Sequence, residues 1–502
     1  MPFEEVDRAQ RLHPVSLLFT VGRFARSLLA PAIAVMFFSG AGYQIWFLVP
    51  FGIAGIASLV KYVFYRYRLG EDEMMVREGV LTRNERHIPY ARIQNINLVQ
   101  NPFHRMLKVA EVHVETASGT KPEAIIRVLS LASVADIRER VFKDRARKID
   151  PEASAEQEES TQRLLELPVR ELIILGLISN RGMVVIAAFV GAVTQFDLWD
   201  LDWEAIVKQA PAWAQRIGLP SELPGPVVSV AVGVMVVVLG IVLMKLLSII
   251  WALFRFYGFT LDLGASNLHA RYGLFTRYTA AIPSHRIQLL SSRTTPLHRL
   301  LKRTGVLAET AGGGAGNQGE EQRETHRLWL APILAAERTD AFNRAILQDV
   351  DLREAQWNPL PKLARRRIRN KSLFVSAVVS IATVFFLGWW SLAVLAGLFT
   401  WSFIHAAMWW KHAAWTIGPT AMAFRSGWWT RRASMVRFAK IQSVSLTQTP
   451  FDRRHDMARI AVDTAGAGKA GHRVAVPFLP SGLAMELHDR LAVEAAKRSF
   501  RW

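Results

Sequence analysis

The sequence predicts a membrane protein of mixed α and β structure. Three hydrophobic helical hairpins, about six helices in all, are each followed by an antiparallel β unit that ends in a helix. Three observations predict this arrangement. The stretch IPYARIQNINLVQNPFHRMLK, which begins at Ile88, recurs from Ile282 and again from Val436. An apolar block precedes each copy, and apolar and polar residues alternate within the copies. A repeat of this length indicates one structural unit used three times.

The composition fits a chain that lies partly in a membrane and partly in water. Of the 502 residues 51% are apolar, yet 21% are charged, and the formal net charge is +19. Nucleic acid, an anionic membrane surface, or a Lys/Arg excess on the cytoplasmic side of a membrane would each account for the charge. The absence of cysteine excludes disulfides, thiolate metal sites and a cysteine nucleophile. The N-terminal segment lacks a signal-peptide pattern and is expected to be a retained anchor.

Each apolar block is expected to turn back on itself as a helical hairpin. The blocks cover 27–60, with a turn at Ser39–Gly42; 172–196 and 227–254, joined by a loop; and 372–410, with a turn at Gly388–Ser391. The first block has 34 residues, which is short for two spans of about 20 residues each. Either Arg23 and Arg26 extend its first helix towards the interface, or this hairpin does not cross fully.

Charge flanks predict the orientation of the hairpins. Arg8, Arg11, Arg23 and Arg26 precede the first block, a basic stretch at 363–371 precedes the third, and the loop at 197–225 is net negative. The positive-inside rule therefore places the N-terminus and all three β units in the cytoplasm and the acidic loop outside. Buried core helices of a soluble protein are the alternative, but such helices would not require these charge flanks.

The repeated unit reads as several short strands followed by a helix. In the first copy Val112 and Val114 alternate with Glu111, His113 and Glu115, as in a strand with one buried face. A further strand is expected at 124–131 and an amphipathic helix at 133–148. The other two copies also end in a strand and a helix, so the unit is predicted to be a roll or open barrel capped by its last helix.

Four motifs recur in the same order in the three copies. Gly-x-x-Thr-Arg suits a tight hairpin turn with positive φ at the glycine, and a cation precedes each Ile-Gln strand. A proline opens a capped helical turn with an arginine three residues later, and a Thr-Ala pair closes a later strand. The positions are Gly79, Gly273 and Gly427; Arg83, Arg277 and Arg431; Arg92, Arg286 and Lys440; Pro102, Pro296 and Pro450; and Arg105, Arg299 and Arg453.

These motifs, each unit standing behind an apolar hairpin, resemble the YdbS/YdbT-like bacterial membrane proteins, and the three-unit arrangement is similar to the longer, YdbT-like members. The soluble units of that family look like pleckstrin-homology (PH) domains. The resemblance implies two orthogonal antiparallel sheets with a capping helix, a location in the bacterial cytoplasmic membrane and no enzymatic activity. The third copy has Arg437 where the others have Pro89 and Pro283, and Asp452 where they have His104 and His298. Three identical sites are therefore not expected.

The repeats and apolar blocks divide the chain into alternating membrane and PH-like segments. The predicted boundaries are an N-terminal segment with hairpin 1 at 1–65, a first PH-like unit at 66–149, a linker at 150–171, hairpin 2 at 172–255 with an outer loop at 197–225, a second unit at 256–350, a basic linker at 351–371, hairpin 3 at 372–411 and a third unit at 412–502.

The recurring cations are the candidate binding residues. Arg83, Arg277 and Arg431 follow the hairpin glycine, where they could bind lipid phosphates or pair with a neighbouring carboxylate and fix the turn. Arg92, Arg286 and Lys440 are further candidates, although the structural interpretation is stronger for them because the next isoleucine is expected to face the core. His104 and His298 are expected to be structural. The glycine-rich stretch 311–321 lacks the Gly-Lys-Ser/Thr ending of a phosphate loop and is expected to be a hairpin loop.

The sequence contains no motif for catalysis, a metal site or a cofactor. It favours a non-enzymatic membrane protein that presents three PH-like units for protein docking or for recognition of anionic lipids. The expected partners are membrane lipids and a protein, for which a shorter single-unit relative is a candidate. Nucleic acid is not expected, because positive-inside topology accounts for the charge. The alternative is a six-helix transporter or export component with PH-like regulatory domains. Transport of ions or protons usually requires ionisable groups within the membrane, and His405 is the one ionisable residue well inside a predicted span.

Overall fold

The computed structural model describes residues 10–11, 72–79, 83–90, 93–116, 124–137, 162–184, 186–187, 191, 225–264, 267–310, 327–350, 355–464 and 474–497, together with 52–70 apart from 53, 54, 57, 58 and 61. The predicted first hairpin therefore lies outside the described residues except for helical positions between 52 and 64. The predicted outer loop, the glycine-rich stretch, the candidate Arg92 and the end of the helix predicted at 133–148 also lie outside them.

The described strands fall into three groups of seven, one for each repeated unit. The first unit contains β1 Gln10–Arg11, β2 Arg66–Leu69, β3 Glu73–Glu78, β4 Asn84–Pro89, β5 Ile93–Gln100, α1 Pro102–Met106, β6 Val109–Thr116 and β7 Ala124–Ser130. A helix follows at 131–137.

The second and third units repeat this order of elements. The second contains β8 Gln162–Glu166, α2 Val169–Ile178, α3 Gly225–Phe256, β9 Thr260–Leu263, β10 Asn267–Tyr272, β11 Arg277–Pro283, β12 Ile287–Thr294, α4 Pro296–Leu300, β13 Arg303–Thr310, β14 Arg327–Ala335 and α5 Thr339–Ile346. The third contains β15 Asn358–Pro359, α6 Lys362–Leu387, α7 Trp390–His412, β16 Ala414–Ile417, β17 Ala421–Ser426, β18 Arg431–Arg437, β19 Ile441–Thr447, α8 Pro450–Arg453, β20 Met457–Thr464, β21 Val474–Pro480 and α9 Ser481–Lys497.

Within each unit the first four strands and the last three form two antiparallel layers. Alternation decides which side chains enter the core between them. On β20, for example, Ile460 and Val462 are buried, whereas the intervening Ala461 is half-buried. Leu487 and Leu491 on α9 close one side of this core. The antiparallel layers and closing helix agree with the predicted PH-like roll.

The first strand of each unit comes from sequence ahead of the membrane segment. β8 pairs with β9, β15 with β16, and β1 with β2. The predicted linkers at 150–171 and 351–371 therefore supply strands β8 and β15. Leu167 and Leu360, each followed by proline, are buried at the ends of these strands. Each apolar segment is thus an insertion between two neighbouring strands of one sheet.

The sheets also continue from one unit into the next. β5 of the first unit pairs with β11 of the second, and β12 of the second pairs with β18 of the third. Two seven-stranded sheets result, with the orders β7-β6-β5-β11-β10-β9-β8 and β14-β13-β12-β18-β17-β16-β15. The three units are consequently joined by main-chain hydrogen bonds and form a single row.

Two of the described helices are long and apolar enough to cross a membrane, namely Gly233–Phe256 within α3 and Trp390–His412. α6 and α7 pack as a hairpin around Gly388, which has a φ of +50°. Along this hairpin the Ser402 hydroxyl lies 2.9 Å from those of Ser372 and Ser376, and such hydroxyl contacts join helices in lipid. The first arm of the second block is not one continuous helix, because α2 ends at Ile178.

Candidate membrane-contact surface

The Gly-x-x-Thr-Arg motif forms the turn between the third and fourth strands of a unit. Gly273 and Gly427 have φ values of +113° and +89°. A Cβ atom at either glycine would lie 2.0–2.1 Å from the carbonyl oxygen three residues later. Gly79 has the same conformation, with a φ of +111°. Only glycine fits the combination of positive φ and close backbone approach at Gly273 and Gly427, and the positive φ at Gly79 favours glycine there too.

In the second and third units this turn contacts a helix that is long and apolar enough to cross a membrane. The backbone N–H groups of Gly273 and Leu274 donate to the carbonyl oxygens of Tyr257 (2.9 Å) and Phe254 (3.0 Å). In the third unit the Trp428 indole N–H donates to His405 Nδ1 on α7 at 3.0 Å. In these two units the turn therefore marks the end nearest the candidate spans, which we call the membrane end.

The short helices α1, α4 and α8 lie at the same end. Pro102, Pro296 and Pro450 each occupy the first turn of one of them, after an Asn or Thr that caps it. The guanidinium of Arg105 donates to the Leu274 carbonyl, and that of Arg299 to the Trp429 carbonyl, both at 3.3 Å. Each of these arginines thus connects its helix to the hairpin turn of the next unit.

His104, His298 and Asp452 hold equivalent places in these caps. Each accepts from the backbone N–H of its capping residue while its own N–H bonds to the capping side chain. The third copy therefore keeps both hydrogen bonds of the cap, although it has aspartate in place of histidine. Asp452 has an additional partner, since Arg367 Nε on α6 lies 3.1 Å from its Oδ1. This contact fixes α8 against α6.

Large apolar side chains at the membrane end are exposed. The side chains of Met106 and Leu300 are 78% and 77% exposed, and the others in this set are more than half exposed: Phe103, Phe275, Trp429 and Phe451. They belong to the three short helices and two of the turns. An exposed apolar set of this kind is a candidate interaction surface. We call these six residues, together with the arginines of the hairpin turns, the membrane-contact surface.

The predicted cations at the turns are exposed and differ in their surroundings. Arg83 directly precedes β4 and Arg277 begins β11, and neither side chain has a hydrogen-bond or ion-pair partner among the described residues. The Arg431 guanidinium donates to His412 Nε2 at 2.6 Å. Burial, together with the positive charges of Arg299 and Arg425, lowers the pKa of Arg431. Several positive charges therefore converge near this turn, an arrangement that favours binding of an anion.

Arg286 and Lys440 do not belong to this surface. Both are more than 90% buried, in short 3-10 turns at Ser284–Arg286 and Phe438–Lys440. Burial, then the nearby charge of Arg437, lowers the pKa of Lys440. The Ile-Gln motif that follows each turn is a β-bulge, because the strand register shifts at Gln94, Gln288 and Gln442. Burial therefore separates these cations from lipid headgroups.

Sequence reasoning missed the apolar half of this surface. Part of its signal was the aromatic residue after the first and third recurring prolines, at Phe103 and Phe451. The contacts of Arg105 and Arg299 with the next unit could not be predicted from the sequence of one repeat, because the acceptor carbonyls belong to the following repeat. Arg437 also acts between units, because its guanidinium donates to the carbonyls of Ser284 (3.1 Å) and Ile287 (2.9 Å).

Comparison with known proteins supports the assignment of the repeated units. A family model described as a bacterial PH domain matches residues 16–145, 207–349 and 372–495. The chain is 23% identical over 466 residues to the UPF0699 transmembrane protein YdbT of Bacillus subtilis (strain 168). The aligned region covers 89% of this chain and 90% of the relative. No solved structure matches the chain. The predicted resemblance and the threefold repeat are thus confirmed.

Proposed function

The chain belongs to the bacterial PH domain family, and on that premise we propose that it is a multi-pass protein of the bacterial cytoplasmic membrane whose three PH-like units bind anionic lipid headgroups at the cytoplasmic leaflet. The family is one of PH-domain transmembrane proteins rather than an enzyme family. The proposed role is accordingly non-enzymatic.

The membrane-contact surface carries this proposal. Its exposed apolar side chains point away from the cores of the units at the end nearest the membrane helices. Aromatic and aliphatic side chains at this depth are stabilised at the boundary between headgroups and acyl chains. Arginine next to them can bind phosphate with two N–H groups, and each cation near an anionic surface contributes about 1 kcal/mol.

The inserted position of the membrane segments supports the predicted hairpins. Because β8 and β9 are neighbours in one sheet, the chain between them must leave and return on the same side of a membrane. A span at Gly233–Phe256 therefore requires a second crossing in the preceding part of the block. The same argument applies to α6 and α7, which lie between β15 and β16. Three such hairpins would give six helices, and the Lys/Arg flanks favour the cytoplasm for the units.

The comparisons give no support to the alternative of a six-helix transporter. Docking of a soluble protein partner at the same surface is the competing interpretation, and an experiment can separate the two. Because the chain has no cysteine, a single cysteine can carry an environment-sensitive fluorophore. Leu300→Cys places it on the membrane-contact surface, and Val493→Cys, half-exposed on the opposite end of the third unit, is the control.

Labelled full-length protein would be reconstituted in bilayers with and without anionic lipid. The Leu300→Cys fluorophore is expected to report an apolar environment, more strongly with anionic lipid, and Arg277→Gln with Arg431→Gln is expected to reduce this difference. The fluorophore at Val493→Cys should not respond. An aqueous signal at Leu300→Cys in both bilayers would contradict lipid binding and would leave the surface available to a protein.

A further inference from the structure

The two junctions between units are built in the same way. At the first, Gln100 on β5 lies opposite Arg277 on β11, and at the second, Thr294 on β12 lies opposite Arg431 on β18. Thr294 is the repeat equivalent of Gln100, and Arg431 is that of Arg277. One strand pairing with one register thus joins successive units.

At both ends of the row the corresponding strand edge is open. Among the described residues, β19 has a neighbour on one side only, in the order β19-β20-β21, and β4 ends the sheet β1-β2-β3-β4. Burial reflects this difference, since Gln288 and Leu289 on β12 are buried, whereas their equivalents Gln442 and Ser443 on β19 are exposed. An edge of this kind can pair with another strand.

The space beside β19 also fits another strand. An open groove of about 570 Å³ separates this edge from α9, and its helical wall consists of Ala492, Ala495 and Ala496. Small side chains there allow a main chain to approach. In addition, Arg453 on α8 is exposed and has no described side-chain partner, whereas its equivalents Arg105 and Arg299 bond to the hairpin turn of the following unit.

We propose that β19 pairs with β4 of a second copy of this chain, so that copies associate head to tail. β4 is the equivalent of β11 and β18, the strands that fill this position at the two junctions within the chain. The register of those junctions places Ser445 opposite Arg86 and Thr447 opposite Asn84. All units are anchored to one membrane, so a copy added by the same operation keeps its anchors in that plane. Such an interface joins different surfaces and generates rows or rings.

The absence of native cysteine makes a register test direct. A Ser445→Cys chain would be mixed with an Arg86→Cys chain in liposomes and oxidised. We expect a covalent dimer in the mixture and not in either chain alone. The geometric control is the Ser291→Cys/Ser434→Cys double variant, whose residues lie opposite each other at the second internal junction. It should form its disulfide within one chain.

The matched negative control pairs Ser445→Cys with Glu85→Cys, which is also exposed but points to the other face of β4. This mixture should yield at least tenfold less dimer. A dimer of Ser445→Cys alone would overturn the proposal, because β19 would then pair with itself. Failure of the mixed pair while the internal control forms would also overturn it.

Discussion

Arg303 on β13 and Glu171 on α2 form a two-point ion pair. The Nε–Oε2 distance is 2.8 Å and the Nη2–Oε1 distance is 2.7 Å. Both side chains are largely buried, with 20% of each exposed. The pair connects the second unit to the helix that leads into the membrane segment, and its bidentate geometry makes it stronger than an ordinary surface ion pair.

Replacing this arginine should weaken the second unit. Arg303→Met leaves Glu171 with no opposite charge at a largely buried position, and we expect a loss of about 1.5–3 kcal/mol in the free energy of unfolding. Thermal unfolding of the full chain in detergent would measure it. Arg338→Met, at an exposed position of the same unit, is the control, and equal stability of the two variants would show that the ion pair contributes nothing.

Close packing of α2 on α3 should make Gly176 intolerant of a side chain. A Cβ atom at Gly176 would lie 2.4 Å from the Cα atom of Ile249. Because the obstacle is backbone, Gly176→Ala must separate the helices, at a cost of about 1–3 kcal/mol. Gly240→Ala is the matched control, since no atom lies within 4 Å of its added Cβ. Equal unfolding temperatures for these two variants would contradict this packing.

The stability of the second unit should fall in mild acid because of His298. Burial and then the positive charge of Arg293 lower the pKa of His298 to about 4. The folded state therefore binds its proton less readily than the unfolded state, whose histidine pKa is about 6.5. Stability is complete above about pH 6.5 and is lost as the pH falls towards 4, by about 2 kcal/mol at pH 5.

His298→Gln tests this pH dependence, because glutamine keeps the cap and does not titrate. The difference in unfolding free energy between pH 7 and pH 5 should decrease by about 2 kcal/mol relative to the wild type. His285→Gln, at an exposed position nearby, should leave the difference unchanged. An unaltered pH dependence in His298→Gln would assign the acid sensitivity to another group.

Arg437 should hold the second and third units together. Its guanidinium donates to two carbonyls of the second unit and lies 3.6 Å from Asp349. Arg437→Met leaves these acceptors without a charged donor, and we expect faster proteolytic separation of the second and third units, with the third unit intact. The control is Arg459→Met, at an exposed position on β20. The protease should cleave this variant at the wild-type rate. Unchanged cleavage in Arg437→Met would mean that strand pairing alone holds the junction.

The repeat made much of each unit predictable. The recurring glycine, proline and Ile-Gln positions are set by local backbone geometry, namely a positive φ, a helix start and a bulge. The first strand of each unit was not predictable, since β15 is the two residues Asn358–Pro359 and has no alternation. The pairing between units was also hidden, because it relies on main-chain groups that every sequence supplies.

The insertion of each membrane segment between two neighbouring strands sets an order on biosynthesis. β8 leaves the ribosome before α2 and α3, but its partner β9 follows them. Under the proposed topology, the sheet cannot close until the intervening segment has entered the bilayer and the chain has returned to the side on which it started. A segment that is only partly inserted would keep its two strands apart. The unit would then stay unfolded and open to proteolysis. In that topology the folding of each unit reports whether the helices inserted in its sheet have been fully integrated.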